Sequence, residues 1–408
     1  MRDYTDKPTV QTAVQKRRRI KMYFVGIDIS KFKHDCFIVD NNGEVIVSSW
    51  SFANDQEGFL LFKEILDGLE GEIRIGFEST GHYTDNIRLF LERHHFSFME
   101  LNPLLISRFN NSKSLRKTKS DTIDAALIAQ YLMTVEYKPN PPTLYHIEAL
   151  KSLTRFRDKF VKLRSHQLVE LTNILDKIFP EFKPFFSNRF SATSLYIIAN
   201  YRTPESIANM NSRSFELLRK KSRGKFTMAK FIQLKDLAKN TVGNTSDYLI
   251  DELDMVFDIY SQLDSKICEI ESLIKEYIAD INPPMLSIPG IGPFSAAVIL
   301  SEYGDINNFD SPAKMLSFAG LEPGYYQSGV SEHTGKMVKH GSGHLRATLM
   351  NCCLPLISHD LVFAQYYSKK RAEGKSHRVA LSHVAKKLVR VIYTLQTKNL
   401  TYVSSLIR

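Results

Sequence analysis

The sequence predicts an α/β domain with a mixed, helix-flanked sheet, followed by an all-α remainder. Three observations predict it. Strand-like alternation and turn signals fill residues 22–101 and then give way to helical spacing. An unbroken 3.5-residue apolar repeat runs over 249–281. Proline-rich stretches at 139–142 and 283–284 divide the chain. These marks predict a flexible basic arm over 1–21, an α/β domain over 22–142, a helical and coiled-coil middle over 143–282, and a helical C-terminal domain over 283–408.

Within the first domain, residues 23–29 are β-rich and apolar, 34–39 read as a second strand, and Asp40-Asn41-Asn42-Gly43 as a hairpin turn into a third strand over 44–52. Asn54 is the expected cap of a helix reaching about residue 69, with Phe59, Leu60, Phe62, Ile65, Leu66 and Leu69 on its buried side. A strand over 72–78, a helix over 83–93 and a strand over 96–101 follow. A helix from Asp121, with Ile123, Leu127, Ile128 and Leu132 at helical spacing, completes the unit. Three hairpin-linked strands and then alternating helices and strands give a mixed sheet.

In the middle region, a helix over 147–179 carries Lys151, Arg155, Arg157, Lys159, Lys162 and Arg164. The stretch 180–240 is less regular and contains a basic run over 213–230. The heptad positions Leu249, Leu253, Val256, Tyr260, Leu263, Ile267, Ile270, Ile274, Tyr277 and Ile281 need an apolar partner. Val161, Leu168, Leu171, Leu175 and Ile178 can supply it, within the chain or across a dimer. Beyond the second proline pair, residues 285–293 with Gly290 and Gly292 look like the hairpin of a helix-hairpin-helix module before a helix over 294–303. A glycine- and lysine-rich loop over 335–346 and helices over 345–357 and 376–395 close the chain.

Composition narrows the functional classes. Hydrophobic residues make up 43% and charged residues 24%, as in soluble globular proteins. A net charge of +10 suits a polyanionic partner, most simply nucleic acid. No apolar run approaches membrane-span length, and residues 1–21 lack the apolar core of a signal peptide. The four cysteines, at 36, 268, 352 and 353, form no Cys-x-x-Cys pair, so neither zinc nor a disulfide framework is indicated. A cytoplasmic setting is expected.

The chemistry-bearing residues are acidic. Asp28 closes the first strand, Glu78 closes the fourth, and Asp121 and Asp124 share one helix face at i and i+3. In open α/β sheets the working crevice lies beyond the carboxyl ends of the strands. Four carboxylates meeting there repel one another unless cations neutralise them, and oxygen-only ligands select Mg²⁺ or Mn²⁺. Two such ions roughly 3.5–4 Å apart can assist both the attacking and the leaving oxygen of a phosphodiester. Arg116, Lys117 and Lys119 just before these acids, and Lys336, Lys339 and Arg346 in the later loop, are candidate phosphate-binding residues. The order strand Asp, strand Glu, helix Asp-x-x-Asp resembles RNase H-like nucleases of the RuvC type. An actin-like ATPase loop at Gly26-Ile27-Asp28-Ile29-Ser30-Lys31 is disfavoured, because no glycine-rich nucleotide loops follow in order.

Taken together the two halves are similar to transposases of insertion sequence family 110, with its 116 and 902 relatives. The N-terminal marks are Gly26-Ile27-Asp28, Glu78-Ser79-Thr80-Gly81, Asn102-Pro103 and the run from Lys117 to Ala125. The C-terminal marks are Pro289-Gly290-Ile291-Gly292, Phe318-Ala319-Gly320-Leu321-Glu322-Pro323, Gln327-Ser328-Gly329 and Lys339-His340-Gly341 through Leu345-Arg346. Ser79 stands where the family commonly has Ala, and the arm before Met22 lies outside the family pattern.

The resemblance implies a composite site. Asp28, Glu78, Asp121 and Asp124 would hold Mg²⁺ in the RuvC-like domain, and Ser328 would attack DNA to form a phosphoserine link, with Ser331 as the alternative under a shifted alignment. It further implies donor and target DNA, a structured guide (bridge) RNA whose base pairing reads sequence, and a homo-oligomer, dimer or tetramer, whose sites join acids of one chain to the serine of another. Two other classes stay open: a RuvC-like nuclease using water, with Ser328 dispensable, and a non-catalytic nucleic-acid-binding protein.

Overall fold

The computed structural model describes residues 21–79, 81–113, 121–140, 145–328 and 331–404. The chain divides into two compact units, Met1–Pro142 and Thr143–Arg408. Among the described residues no single helix is long and apolar enough to cross a membrane.

The first unit is built on a five-stranded sheet. Strands β1 (Met22–Ile29), β2 (Lys33–Asp40) and β3 (Val45–Ala53) form an antiparallel meander, and β4 (Glu72–Glu78) and β5 (Phe98–Leu101) add in parallel on the far side of β1. The order is β3-β2-β1-β4-β5. Helices α1 (Gln56–Asp67), α2 (Thr84–Arg93), α3 (Pro103–Lys113) and α4 (Asp121–Thr134) flank it. Strand alternation separates two cores. Ile27, Ile75 and Phe77 pack with Phe62 and Leu66 of α1 and with Ile87 and Leu91 of α2. Phe24 and Val39 pack with Ile106 of α3 and with Leu127, Ile128 and Leu132 of α4.

Some expectations need correction here. Asp55, not Asn54, caps α1: its carboxylate accepts the Gly58 N–H at 2.8 Å. Leu60 is 48% exposed and so lies off the buried side of α1, while Ile123 of α4 is 45% exposed. Helix α3 was not foreseen. Its start signals are present, because the Asn102 side chain accepts the Leu104 N–H at 2.9 Å and Pro103 occupies the first turn. Yet only Ile106 is fully buried while Leu104 and Leu105 face outward, so no apolar stripe announces it.

In the second unit α5 (Tyr145–Ile178) leads into five shorter helices, α6 (Phe182–Phe185), α7 (Ala192–Asn200), α8 (Pro204–Ala208), α9 (Ser212–Lys221) and α10 (Met228–Lys239). The long α11 (Asp247–Ile281) then returns along α5. Arg157 donates to Glu271 at 2.6–2.9 Å, and Arg164, seven residues on, donates to Asp264, seven residues back, so the two helices run antiparallel. Leu171, Leu175 and Ile178 share a core with Leu249 and Leu253, which assigns the heptad stripe a partner within the chain. The arginines of α5 thus serve ion pairs within the unit.

The remaining helices gather around the other end of this pair. They are α12 (Pro293–Tyr303), α13 (Pro312–Phe318), α14 (Gly343–His359), α15 (Leu361–Ala372) and α16 (His377–Lys398). Ile270, Ile274 and Ile278 of α11 enter their core. Helix α15 is a further unforeseen element: of its residues only Phe363 is fully buried. The proposed hairpin before α12 is a single-turn 3-10 segment, Pro284–Ser287, and a turn in which Gly290 (φ +91°) packs against the α14 backbone at Leu356. Strands β6 (Pro323–Ser328) and β7 (Ser331–Met337) pair antiparallel, so the first residues of the loop expected over 335–346 lie in a strand.

One buried ion pair fastens α5 to α12. Arg155 donates to both Glu302 carboxylate oxygens, at 2.8 and 3.1 Å, and the Glu302 side chain is 2% exposed. Burial opposes ionisation of this carboxyl, but the hydrogen bonds and charge of Arg155 outweigh it and hold the group below its ordinary range. A depressed carboxylate stabilises the fold above its unfolded pKa, and that contribution is lost as pH falls through the folded pKa. Arg155→Ala leaves a buried carboxylate with only the Ser342 hydroxyl and the charge of Lys151 to support it and is expected to cost roughly 3 kcal/mol at neutral pH, the low end for a broken buried pair because the Arg155 side is half-exposed. Denaturant midpoints should show this deficit shrinking as Glu302 protonates in acid; a pH-independent deficit would assign the loss to packing.

Candidate active site

Asp28 and Glu78 end neighbouring parallel strands. The β1–β4 ladder pairs Gly26 with Gly76 and Ile27 with Phe77, so Asp28 and Glu78 are the next residues in register. Phe24, Gly26 and Asp28 alternate onto the face covered by α4, as do Gly76 and Glu78. The glycines explain how closely the helix docks. A Cβ on Gly26 would lie 2.1 Å from the Ala125 carbonyl oxygen and 2.5 Å from the Ala129 nitrogen, so α4 rests on bare β1 backbone. Asp124, adjacent to Ala125, is carried with that contact. Asp28, Glu78 and Asp124 are each half-buried. Asp121 opens α4, and its side chain lies outside the described set. Among the described residues no three His, Cys, Asp or Glu side chains stand close enough to share a metal ion.

The fold adds an acid that sequence reading passed over. Asp35 of β2 is the direct cross-strand partner of Asp28, on the same sheet face, and is 3% exposed. Its carboxylate accepts the Ser51 hydroxyl at 2.5 Å and the Lys33 ammonium at 3.2 Å. The available signal was an acid on the apolar-alternating face of β2, between His34 and Cys36.

In the second unit Ser328 ends β6 and is the register partner of Ser331, which begins β7, so both serines considered from sequence stand at the described end of one hairpin. The base of that hairpin is where the C-terminal motifs meet. A Cβ on Gly341 would sit 1.8 Å from the Phe318 carbonyl oxygen, and Gly320 (φ +64°) lies against Gly341 and Arg346. The Val338 N–H donates to the Glu322 carbonyl at 2.9 Å.

The candidate phosphate ligands divide accordingly. Arg346 donates to the Ala319 carbonyl at 3.2 Å and so has a structural task in bracing the hairpin base. Lys339 is exposed, with φ +55°. Lys336 lies in β7. Arg116, Lys117 and Lys119 fall outside the described residues, as does the basic arm up to residue 20.

By donor chemistry alone, the carboxylates of Asp28, Glu78 and Asp124, with no cysteine or histidine among them, would suit a hard divalent cation, although the three do not converge closely enough here to share one.

Comparisons with known proteins give two family matches along the chain. A model described as Transposase, of the DEDD IS110 type, matches residues 25–180, and one described as Transposase IS116/IS110/IS902 family matches residues 283–368. The chain is similar to the pilin gene-inverting protein of Moraxella lacunata, 23% identical over 384 residues that cover 92% of this chain and 96% of the relative. It is also similar to the insertion element IS116 44.8 kDa protein of Streptomyces clavuligerus, 24% identical over 380 residues that cover 91% of this chain and 94% of the relative. Similarity that runs the length of both relatives, with two family models in order along one chain, shows that the protein belongs to the IS110/IS116/IS902 family of transposases.

Proposed function

We propose that this transposase cuts and rejoins DNA strands through a composite site, with Asp28, Glu78, Asp121 and Asp124 as ligands of Mg²⁺ or Mn²⁺ and Ser328 as the nucleophile. The observation that carries the reading is the register of Asp28 and Glu78 beneath the closely docked α4. A divalent cation bound by these acids supplies Lewis-acid stabilisation of the charge that develops on a phosphodiester. These acids would hold that cation near the carboxyl ends of β1 and β4. In the proposed step the Ser328 hydroxyl oxygen attacks phosphorus as its proton leaves to solvent or a basic group, the bond from phosphorus to one sugar oxygen breaks, and that oxygen takes up a proton from solvent to leave as a hydroxyl. The phosphoserine link keeps a diester, so a second sugar hydroxyl can reverse the attack and join a new strand without an external energy source.

Donor and target DNA are the proposed partners, together with a structured guide RNA, in keeping with the family resemblance and the net charge of +10. A homo-oligomer, dimer or tetramer, completes the proposal. Its support is a set of exposed apolar side chains on the long helix pair. Phe156 and Leu163 lie seven residues apart on α5, and Met255, Ile259 and Leu273 lie at spacings of four and fourteen on α11, 45–66% exposed.

The test is covalent capture. Ser328→Ala should remove the protein–DNA product seen on a denaturing gel, while nucleic-acid affinity stays within about twofold because binding rests on distributed charge. If Ser331→Ala alone removes the product, the nucleophile is the other serine. Cleavage that survives both substitutions would establish a water-dependent nuclease.

A further inference from the structure

The turn that joins β1 to β2 has a construction that its catalytic neighbour Asp28 does not require. Phe32, at its tip, is 77% exposed, and the Lys31 ammonium lies 4.9 Å above its ring centroid. Lys33 follows, ion-paired at 3.1 Å with the buried Asp35. A single exposed aromatic needs no explanation by itself. This one sits on backbone that the fold has fixed carbonyl by carbonyl. The Ser30 N–H and hydroxyl both donate to the Lys33 carbonyl, at 3.2 and 2.5 Å. The Asn54 N–H donates to the Phe32 carbonyl at 2.9 Å, and its amide group donates to the Lys31 carbonyl at 3.1 Å. Asn86 of α2 in turn donates to the Asn54 side-chain oxygen at 3.1 Å. Asn54 is thereby drawn away from capping α1 and ties the tip to two other elements.

A rigid turn that holds an aromatic ring in water between two lysines, four residues beyond Asp28, has the composition of a base-stacking platform. Every nucleobase offers a π-face, and a lysine beside the ring can take a flanking phosphate. Fixing the ring in advance removes much of the ordering cost of binding. Bases in an intact duplex keep their faces stacked, so the ligand that fits is a parted strand. We propose that Phe32 stacks on an unpaired base of the DNA strand entering the acidic site, with Lys31 against its backbone. The placement beside a DNA-cutting centre rests on the function proposed above; the stacking contact itself does not.

The test separates the two. In the full-length chain carrying Asp28→Asn, so that no cleavage intervenes, the probe is a single-stranded oligothymidine bearing one 2-aminopurine. Binding should change the 2-aminopurine fluorescence, and Phe32→Tyr should preserve both the signal and the affinity. Phe32→Ala and Phe32→Leu should lose the signal and bind about five- to a hundredfold more weakly, the range for one base–aromatic stack. Lys31→Ala should reduce the salt dependence of binding by about one phosphate contact. The exposed ring makes loss of folding no rival explanation, and circular dichroism checks it. Unchanged affinity in Phe32→Ala, full retention by Phe32→Leu, or an effect confined to an RNA oligonucleotide would each overturn the proposal. Failure of the catalytic reading would appear elsewhere, as strand cleavage that survives Asp28→Asn.

Discussion

Asp28→Asn is expected to lower DNA strand cleavage by at least about a thousandfold, to the background of the assay, with folding and DNA binding retained. The substitution preserves shape and removes one negative charge from a carboxylate set whose proposed work is to hold a divalent cation. Because the side chain is half-buried at a strand end and forms no part of either apolar core, its loss should not propagate into the fold. Chelation is the matching experiment. Cleavage should vanish in EDTA and return with Mg²⁺ or Mn²⁺, while Ca²⁺, whose longer and looser coordination suits the in-line geometry poorly, should support binding better than cutting. Cleavage that persists in chelator, or in Asp28→Asn, would remove the metal site from the mechanism. Asp35 sharpens the expectation, since it stands opposite Asp28 but already accepts from Ser51 and Lys33. It is therefore poorly placed to stand in for the missing charge.

These acids could be read from sequence because each is announced locally. Apolar alternation ends at Asp28 and again at Glu78, and three-residue spacing joins Asp121 to Asp124. Asn54 shows where local reading stops. Two adjacent residues were both competent caps, and the choice was made by Phe32, twenty-two positions earlier, whose carbonyl takes the Asn54 N–H. Asp55 is left with the extended backbone, φ −145° and ψ 179°, that a cap requires. The same holds for the heptad helix. Its period was plain, but its partner was fixed by contacts such as Arg157 with Glu271, 114 residues apart, which no spacing rule reveals. Helices α3 and α15 escaped notice for the opposite reason, since each buries a single large side chain completely and so leaves no stripe to detect. Arg346 was legible as a charge but not as a brace, because its partner carbonyl at Ala319 lies in another motif.

That the heptad stripe is satisfied within the chain changes the argument for a shared site. Dimerisation can no longer be inferred from the repeat itself, and what remains is the separation of the chemistry. The acids belong to the unit ending at Pro142 and the serine to the unit beginning at Thr143. Nothing in that arrangement obliges the two to come from one chain. Two inactive proteins, Asp28→Asn and Ser328→Ala, distinguish the possibilities when mixed. If sites form between chains, a mixed oligomer contains one site with intact acids from the serine variant and an intact serine from the acid variant. Cleavage should then return to a substantial fraction of the wild-type level, from a background lower by about three orders of magnitude. The covalent product should be carried only by the Asp28→Asn chain, which a size tag on one variant makes visible. If each site is built within one chain, every site in the mixture lacks an essential group and no product appears. Mixed oligomers that form and yield no covalent product would therefore refute the shared site, while product on the Ser328→Ala chain would refute Ser328 as the nucleophile.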